Sequence, residues 1–319
     1  MARNPLAARV AAALSLVILS ACGDSPPERP AQAPGGRPAR VEGGDADGAF
    51  ERSIVFASMD GESVVLVPWL MSAVETPDGV ERYGAGWLGR GGMWETFYEE
   101  RWTTPPTRAP ARVLPHASVS LLVRDGDAID GILFEEGPRN LELVIGDVTA
   151  TWVGSRGETV ELLEGATYLS DQRIDGAVLD LARGSAGGSP PGGDWAFLIS
   201  GDSARFVLLA ETEHGGETEP RYRGWADLGG SFLQWPEVAV DWSRTQAFLP
   251  ARRDVPVEWR FRSADGLVEG ALAVVSADIT PGEGPGPLLP VRALFEVAGE
   301  VSTVAGRFDV RGLVVHERR

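Results

Sequence analysis

An all-β chain, folded as two antiparallel β-barrels or strongly curved sheets behind a disordered tether, is the architecture this sequence predicts. Three observations carry it. From Phe50 onward apolar residues recur with period two, as in Val257, Trp259 and Phe261 against Glu258, Arg260 and Arg262, or Val119, Leu121 and Val123. That period marks half-buried strands with one wet face. Asp-Gly pairs at 60–61, 78–79, 125–126 and 265–266 punctuate the runs, and both residue types tolerate the positive φ of hairpin turns. Strand-like runs, roughly sixteen to eighteen of them, recur at short spacing, a rhythm that belongs to barrels or sandwiches. A pair of β-sandwiches is the competing arrangement.

In chain order, residues 1–21 read as a processing signal. Arg3 and Arg9 precede the apolar run Val10–Leu19, and Ser20 and Ala21 follow it. The run is shorter than the ~20 residues a membrane-spanning helix needs. Leu19-Ser20-Ala21-Cys22 resembles the lipobox of bacterial lipoproteins, and Cys22 is the chain's one cysteine. The resemblance implies acylation of Cys22 and attachment to a lipid bilayer. Such lipoproteins stay at the inner membrane when Asp directly follows the Cys. Here Gly23 takes that place, which leans toward the outer membrane, with the protein facing the periplasm. Residues 22–50 are rich in Pro and Gly and hold little to bury. They predict a tether that spans on the order of 30 Å.

The body divides in this reading into an N-terminal unit, 51–214, and a C-terminal unit, 215–319, at the linker Glu213–Glu219. Gly184–Gly193 (GSAGGSPPGG) reads as a surface loop inside the first unit. Its neighbour 177–183 (AVLDLAR), and 237–247, are the two places where a helical turn is compatible with the pattern. The hairpin 257–263/267–276 through Ala264-Asp265-Gly266 is the clearest single element.

Composition narrows the function classes. A net charge of −17 argues against a nucleic-acid binder, which needs a basic face. One cysteine excludes an intramolecular disulfide and a cysteine-based zinc cluster. All 29 basic residues are arginine, which removes lysine Schiff-base chemistry, Ser–Lys dyads and a P-loop lysine. No metal or cofactor is expected, since the three histidines, 116, 214 and 316, show no ligand spacing. His214 sits in the linker and His316 near the C-terminus. His116, in the Pro-punctuated segment Arg108–His116, is the one residue offered as a catalytic acid or base, and sequence names no partner for it. Ser200-Gly201-Asp202-Ser203 echoes a hydrolase nucleophile block but lacks the strand-to-helix setting and partner residues. Adjacent acidic pairs such as Glu99-Glu100 point to opposite faces of a strand and form no catalytic pair alone.

The aromatic residues say more. Trp87, Trp94, Phe97, Tyr98 and Trp102 crowd one stretch, 86–102. They serve either as core rings and hairpin staples or as the wall of a cavity for an apolar or planar ligand. Trp94, Tyr98 and Trp102 are the candidate ligand-binding residues; Trp94 and Tyr98 share a face if no bulge intervenes.

The C-terminal stretch LFEVAGEVSTVAGRFDVRGLVVHE, through Gly299, Gly306, Gly312 and Glu317, resembles the final hairpin of the lipocalin-like hydroxyneurosporene synthase family. Phe308-Asp309 stands where that family has Gly-Tyr-Glu. The resemblance implies two lipocalin-like barrels packed together, in a family whose members include carotenoid hydratases. Three functions follow as expectations. The first is a membrane-anchored, extracytoplasmic lipoprotein that binds an apolar or amphipathic small molecule. The second is a hydratase- or isomerase-type enzyme using His116 and a carboxylate. The third is a non-enzymatic partner in an envelope assembly.

Overall fold

The structure is a computed structural model that describes residues 48–318 apart from 62, 125–127, 170–171, 186–190, 202–203, 212–220 and 285. The expected processing signal, Cys22 and all but the end of the expected tether lie outside the described residues. The first strand already begins at Ala49, inside the stretch expected to be tether.

The first sheet uses nine strands: β1 (Ala49–Asp60), β2 (Ser63–Thr76), β3 (Gly79–Arg90), β4 (Met93–Thr104), β5 (Val119–Arg124), β6 (Ala128–Glu136), β7 (Arg139–Val153), β8 (Thr159–Leu169) and β9 (Gln172–Ser185). Their order is β4-β3-β2-β1-β9-β8-β7-β6-β5, antiparallel throughout and curled into a half-barrel. The remaining eight form a closed barrel: β10 (Trp195–Ser200), β11 (Ala204–Ala210), β12 (Tyr222–Leu228), β13 (Phe232–Phe248), β14 (Arg253–Ser263), β15 (Val268–Pro281), β16 (Val291–Thr303) and β17 (Gly306–Arg318). Three of the four expected Asp-Gly turns fall between paired strands, with φ of 63° at Gly61, 155° at Gly79 and 70° at Gly266; residues 125–127 of the fourth are not described.

Two expectations are corrected. The change of sheet falls between Ser185 and Trp195, not near residue 215. β10 and β11, assigned by the sequence reading to the first unit, belong to the barrel, because β10 pairs with β17 and closes it. The Gly/Pro-rich segment read as an internal loop is the connection between the two sheets. Neither 177–183 nor 237–247 is helical. Both lie in strands, β9 and β13, and among the described residues the one helical element is a 3-10 turn at Leu249–Ala251.

Three apolar cores hold the molecule. One fills the barrel, with Phe206, Trp235, Trp259, Phe261 and Phe295. A second lies between the outer faces of the two sheets. Val55, Leu66, Leu162 and Leu179 from the half-barrel meet Trp195, Phe197, Trp225 and Leu313 from the barrel. The third lines the concave face of the half-barrel, with Phe56, Trp69, Phe134 and Leu143. The central strands β1, β2, β8 and β9 contribute to both of these cores, which explains the nearly unbroken apolar run of β2.

Candidate functional site

The half-barrel is open. Its edge strands, β4 and β5, do not pair, and the chain from 105 to 118 crosses between them. Side chains of the sheet pin this crossing. The Tyr98 hydroxyl donates to the His116 carbonyl at 3.3 Å, and Arg82 Nη1 donates to the Arg112 carbonyl at 2.7 Å. The crossing ends in a single bridge between His116 and Val119.

At this seam lies a recess. Trp69 and Met71 of β2, Arg82 and Gly84 of β3, and Tyr98 and Trp102 of β4 form one wall. Val113 and Leu114 of the crossing, Val119 and Leu121 of β5, and Ile132 of β6 form the other. It holds about 400 Å³ of space not filled by atoms, part of it open to solvent. It is a small slot with a largely apolar lining. Glycines on β3 make it possible. A Cβ at Gly84 would approach Tyr98 to 3.2 Å and Trp102 to 3.5 Å, and one at Gly86 would meet Phe97 at 2.7 Å and Trp69 at 2.9 Å. The rings of Phe97, Tyr98 and Trp102 lie over Gly84 and Gly86, which offer them no side chain.

Tyr98 and Trp102 thus both line the slot. Trp94 does not. The β3/β4 register shifts between Gly86 and Trp87, so that Tyr98 opposes Gly86 while Thr96 opposes Trp87. Phe97 is the extra residue of a β-bulge, which reverses the alternation beyond it. Trp94 therefore faces the barrel, packs in the core between the sheets, and donates from Nε1 to Ser276 Oγ at 3.1 Å. His116 is near the slot but not in its wall. Its ring stacks on Trp102 at 4.3 Å between centroids and 3° between planes. Among the described residues no carboxylate bonds the His116 ring, so the pairing required of an acid–base catalyst is not formed there.

The polar groups of the slot are almost all donors. Burial, with Glu100 nearby, pushes the Tyr98 phenol up to about 12, so it remains a protonated donor. Arg82 is 5% exposed. Its Nε donates to Thr104 Oγ1 at 3.0 Å, Nη1 is held by Arg112, and Nη2 has no hydrogen-bond partner; nor has Trp69 Nε1. Of the three buried arginines among the described residues, Arg183 pairs with Glu51 and Arg205 with Glu164, whereas Arg82 meets no carboxylate. Burial lowers its pKa.

A second polar cluster escaped the sequence reading. His316, set aside there as nearly terminal, is fully buried inside the barrel. Its Nδ1 lies 2.8 Å from Asp194 Oδ1, and the Tyr222 hydroxyl donates to Asp194 Oδ2 at 3.2 Å. Trp242 packs edge-on against the imidazole. Strand β17, whose alternate residues Val310 and Val314 also face the barrel core, carries His316 inward; position near the chain end conceals this.

No family model and no curated protein matches the sequence. Solved structures share its architecture. Kievitone hydratase from Nectria haematococca superimposes with a TM-score of 0.53 over 85% of this chain and 88% of its own, at 9% identity. A Nitrosomonas europaea protein described as AttH does so at 0.58, over 85% and 92%, at 11% identity. At these identities the likeness is one of fold: a lipocalin-like half-barrel and barrel packed back to back.

Proposed function

We propose that the chain is a lipid-anchored protein of the cell envelope whose half-barrel takes an apolar or amphipathic small molecule in the seam slot. The observation that carries the binding reading is the slot itself: aromatic and aliphatic walls, few polar groups, and glycines beneath the rings. Flat apolar ligands gain from stacking on Trp102 and from leaving water, at about 25 cal/mol per Å² buried. Trp102→Ala is expected to weaken binding of a flat apolar fluorophore such as 2-aminoanthracene at least about tenfold, the loss of roughly one good ring contact. Trp94→Ala, on the far side of the sheet, is expected to leave that binding unchanged while lowering stability. Equal loss of binding in both variants, or none in either, overturns the assignment.

The anchor rests on the coincidence of charge, apolar run, small residues and the sole cysteine at 22. Cys22→Ser is expected to shift the protein from the membrane fraction and abolish labelling by a clickable palmitate analogue. A variant that remains tightly membrane-bound and mature removes the anchor from the reading.

A second reading, a hydratase- or isomerase-type enzyme, is supported by the fold shared with kievitone hydratase and by His116 stacked on a slot residue. The missing carboxylate partner of His116 places it behind the binding reading.

A further inference from the structure

We infer that the ligand of the seam slot is an organic anion, with a flat apolar body and a carboxylate taken by Arg82. The inference rests on the slot being a ligand site, as proposed above, and adds the ligand's chemical class.

A guanidinium removed from water normally keeps a carboxylate or several oxygens around it, because burying a cation unpaired is costly. The protein follows this rule elsewhere: Arg183 has Glu51 and Arg205 has Glu164. Among the described residues Arg82 has only two neutral oxygens and no carboxylate, and its side chain lines a recess. Two of its nitrogens are used to hold it. Thr104 Oγ1 takes Nε and the Arg112 carbonyl takes Nη1, so the fork is fixed and Nη2 is left over. A held guanidinium with spare N–H groups is pre-organised for a carboxylate oxygen. Trp69 adds a second unused donor to the same wall. Indole N–H groups are also unpaired at Trp195 and Trp225 in the dry core between the sheets, so the indole alone carries no weight; the guanidinium does. Beside Arg82 the side chains that line the slot are donors and apolar groups, which suits an anionic oxygen attached to a ring; the nearby acid, Glu100, acts on Tyr98.

The test compares 2-naphthoate with 2-naphthamide, which share ring and size and differ in charge. Calorimetric titration of the purified full chain at neutral pH is expected to show naphthoate binding at least about tenfold more tightly than the amide. Arg82→Met, similar in length and apolar, is expected to bring naphthoate down to the amide's affinity and leave the amide within about twofold. Arg82→Lys, a point charge in place of the fork, is expected to fall between. Equal affinity of the two compounds for the unaltered chain overturns the anion assignment and leaves the slot as a neutral site. Binding of neither overturns the slot as a site of this kind, and the assignment with it. Retention of the naphthoate preference in Arg82→Met places the anion elsewhere. Should that variant fail to fold, the two compounds on the unaltered chain still decide.

Discussion

Gly312 shows how strongly a single residue can be dictated by its neighbours. A Cβ there would lie 2.0 Å from the Phe197 carbonyl oxygen and 2.8 Å from Leu198 Cα, on the β10–β17 pairing that closes the barrel. Backbone, unlike a flexible side chain, does not move aside cheaply. Gly312→Ala is expected to cost about 3 kcal/mol, the upper range of overpacking, in a urea melt. Gly286→Ala, where the nearest atom is 3.5 Å away, is expected to stay within about 0.5 kcal/mol. Gly299 is held in the same way against Ala271, and Glu317 is buried and receives Arg292 Nε at 2.7 Å. Residues that carried the family resemblance at the C-terminus thus have packing and pairing roles, and they speak for the fold rather than for an activity. Arg82 is the opposite case. In the sequence it is one more alternating charged residue of β3, beside Glu81; only the folded seam shows that it faces inward without a counter-ion.

Individual elements explain which sequence expectations succeeded. Hairpins with Asp-Gly turns and clean alternation were legible because one face is wet. β9 was not, since Ala177, Leu179 and Leu181 face the core between the sheets while Val178 faces the concave core. An apolar run buried on both faces has no period of two to read. The bulge at Phe97 was equally invisible: it depends on the partner strand, and it alone decides that Tyr98 and Trp102 reach the slot while Trp94 does not. The turn between β7 and β8 gives a prediction at this scale. Burial pushes the Glu158 carboxyl up. The N–H groups of its own backbone and of Arg156, together with the Arg156 guanidinium, outweigh that and hold it below its ordinary value. A carboxylate with a lowered folded pKa stabilises the fold above its unfolded pKa and loses that contribution as pH falls through the folded value. Glu158→Gln is therefore expected to cost about 1–2 kcal/mol at neutral pH, with the difference from the unaltered chain closing below about pH 4. Urea melts at both pH values check this; a gap independent of pH would assign the effect to packing alone.

At the scale of the molecule, the half-barrel and the barrel are joined by more than the segment after Ser185. Their outer faces share one apolar core in which Trp195 and Trp225 are fully enclosed. Around it, polar contacts cross from one sheet to the other: Trp94 to Ser276, Arg205 to Glu164, and the Arg292 guanidinium over the Tyr83 ring at 5.0 Å. The pair Arg183–Glu51 on one side lies close enough to Arg292–Glu317 on the other for their charges to act on each other. Removing either half would strand these charges and expose large rings to water, at several kcal/mol for the charges alone. The sequence suggested two units with a boundary, as a chain of two separable domains would have, and could not reveal that their convex faces are a common interior. The two halves are accordingly expected to unfold together, in a single transition by calorimetry, with far-ultraviolet dichroism and tryptophan fluorescence coinciding. Trp225→Ala, which truncates the shared core from the barrel side, is expected to lower that single midpoint, at a cost of about 3–5 kcal/mol, and to lower it for the half-barrel as much as for the barrel. Two transitions in the unaltered chain, or a Trp225→Ala variant in which the half-barrel's signal keeps its midpoint, would show that each sheet is stable by itself and that the interface between them is only a docking contact.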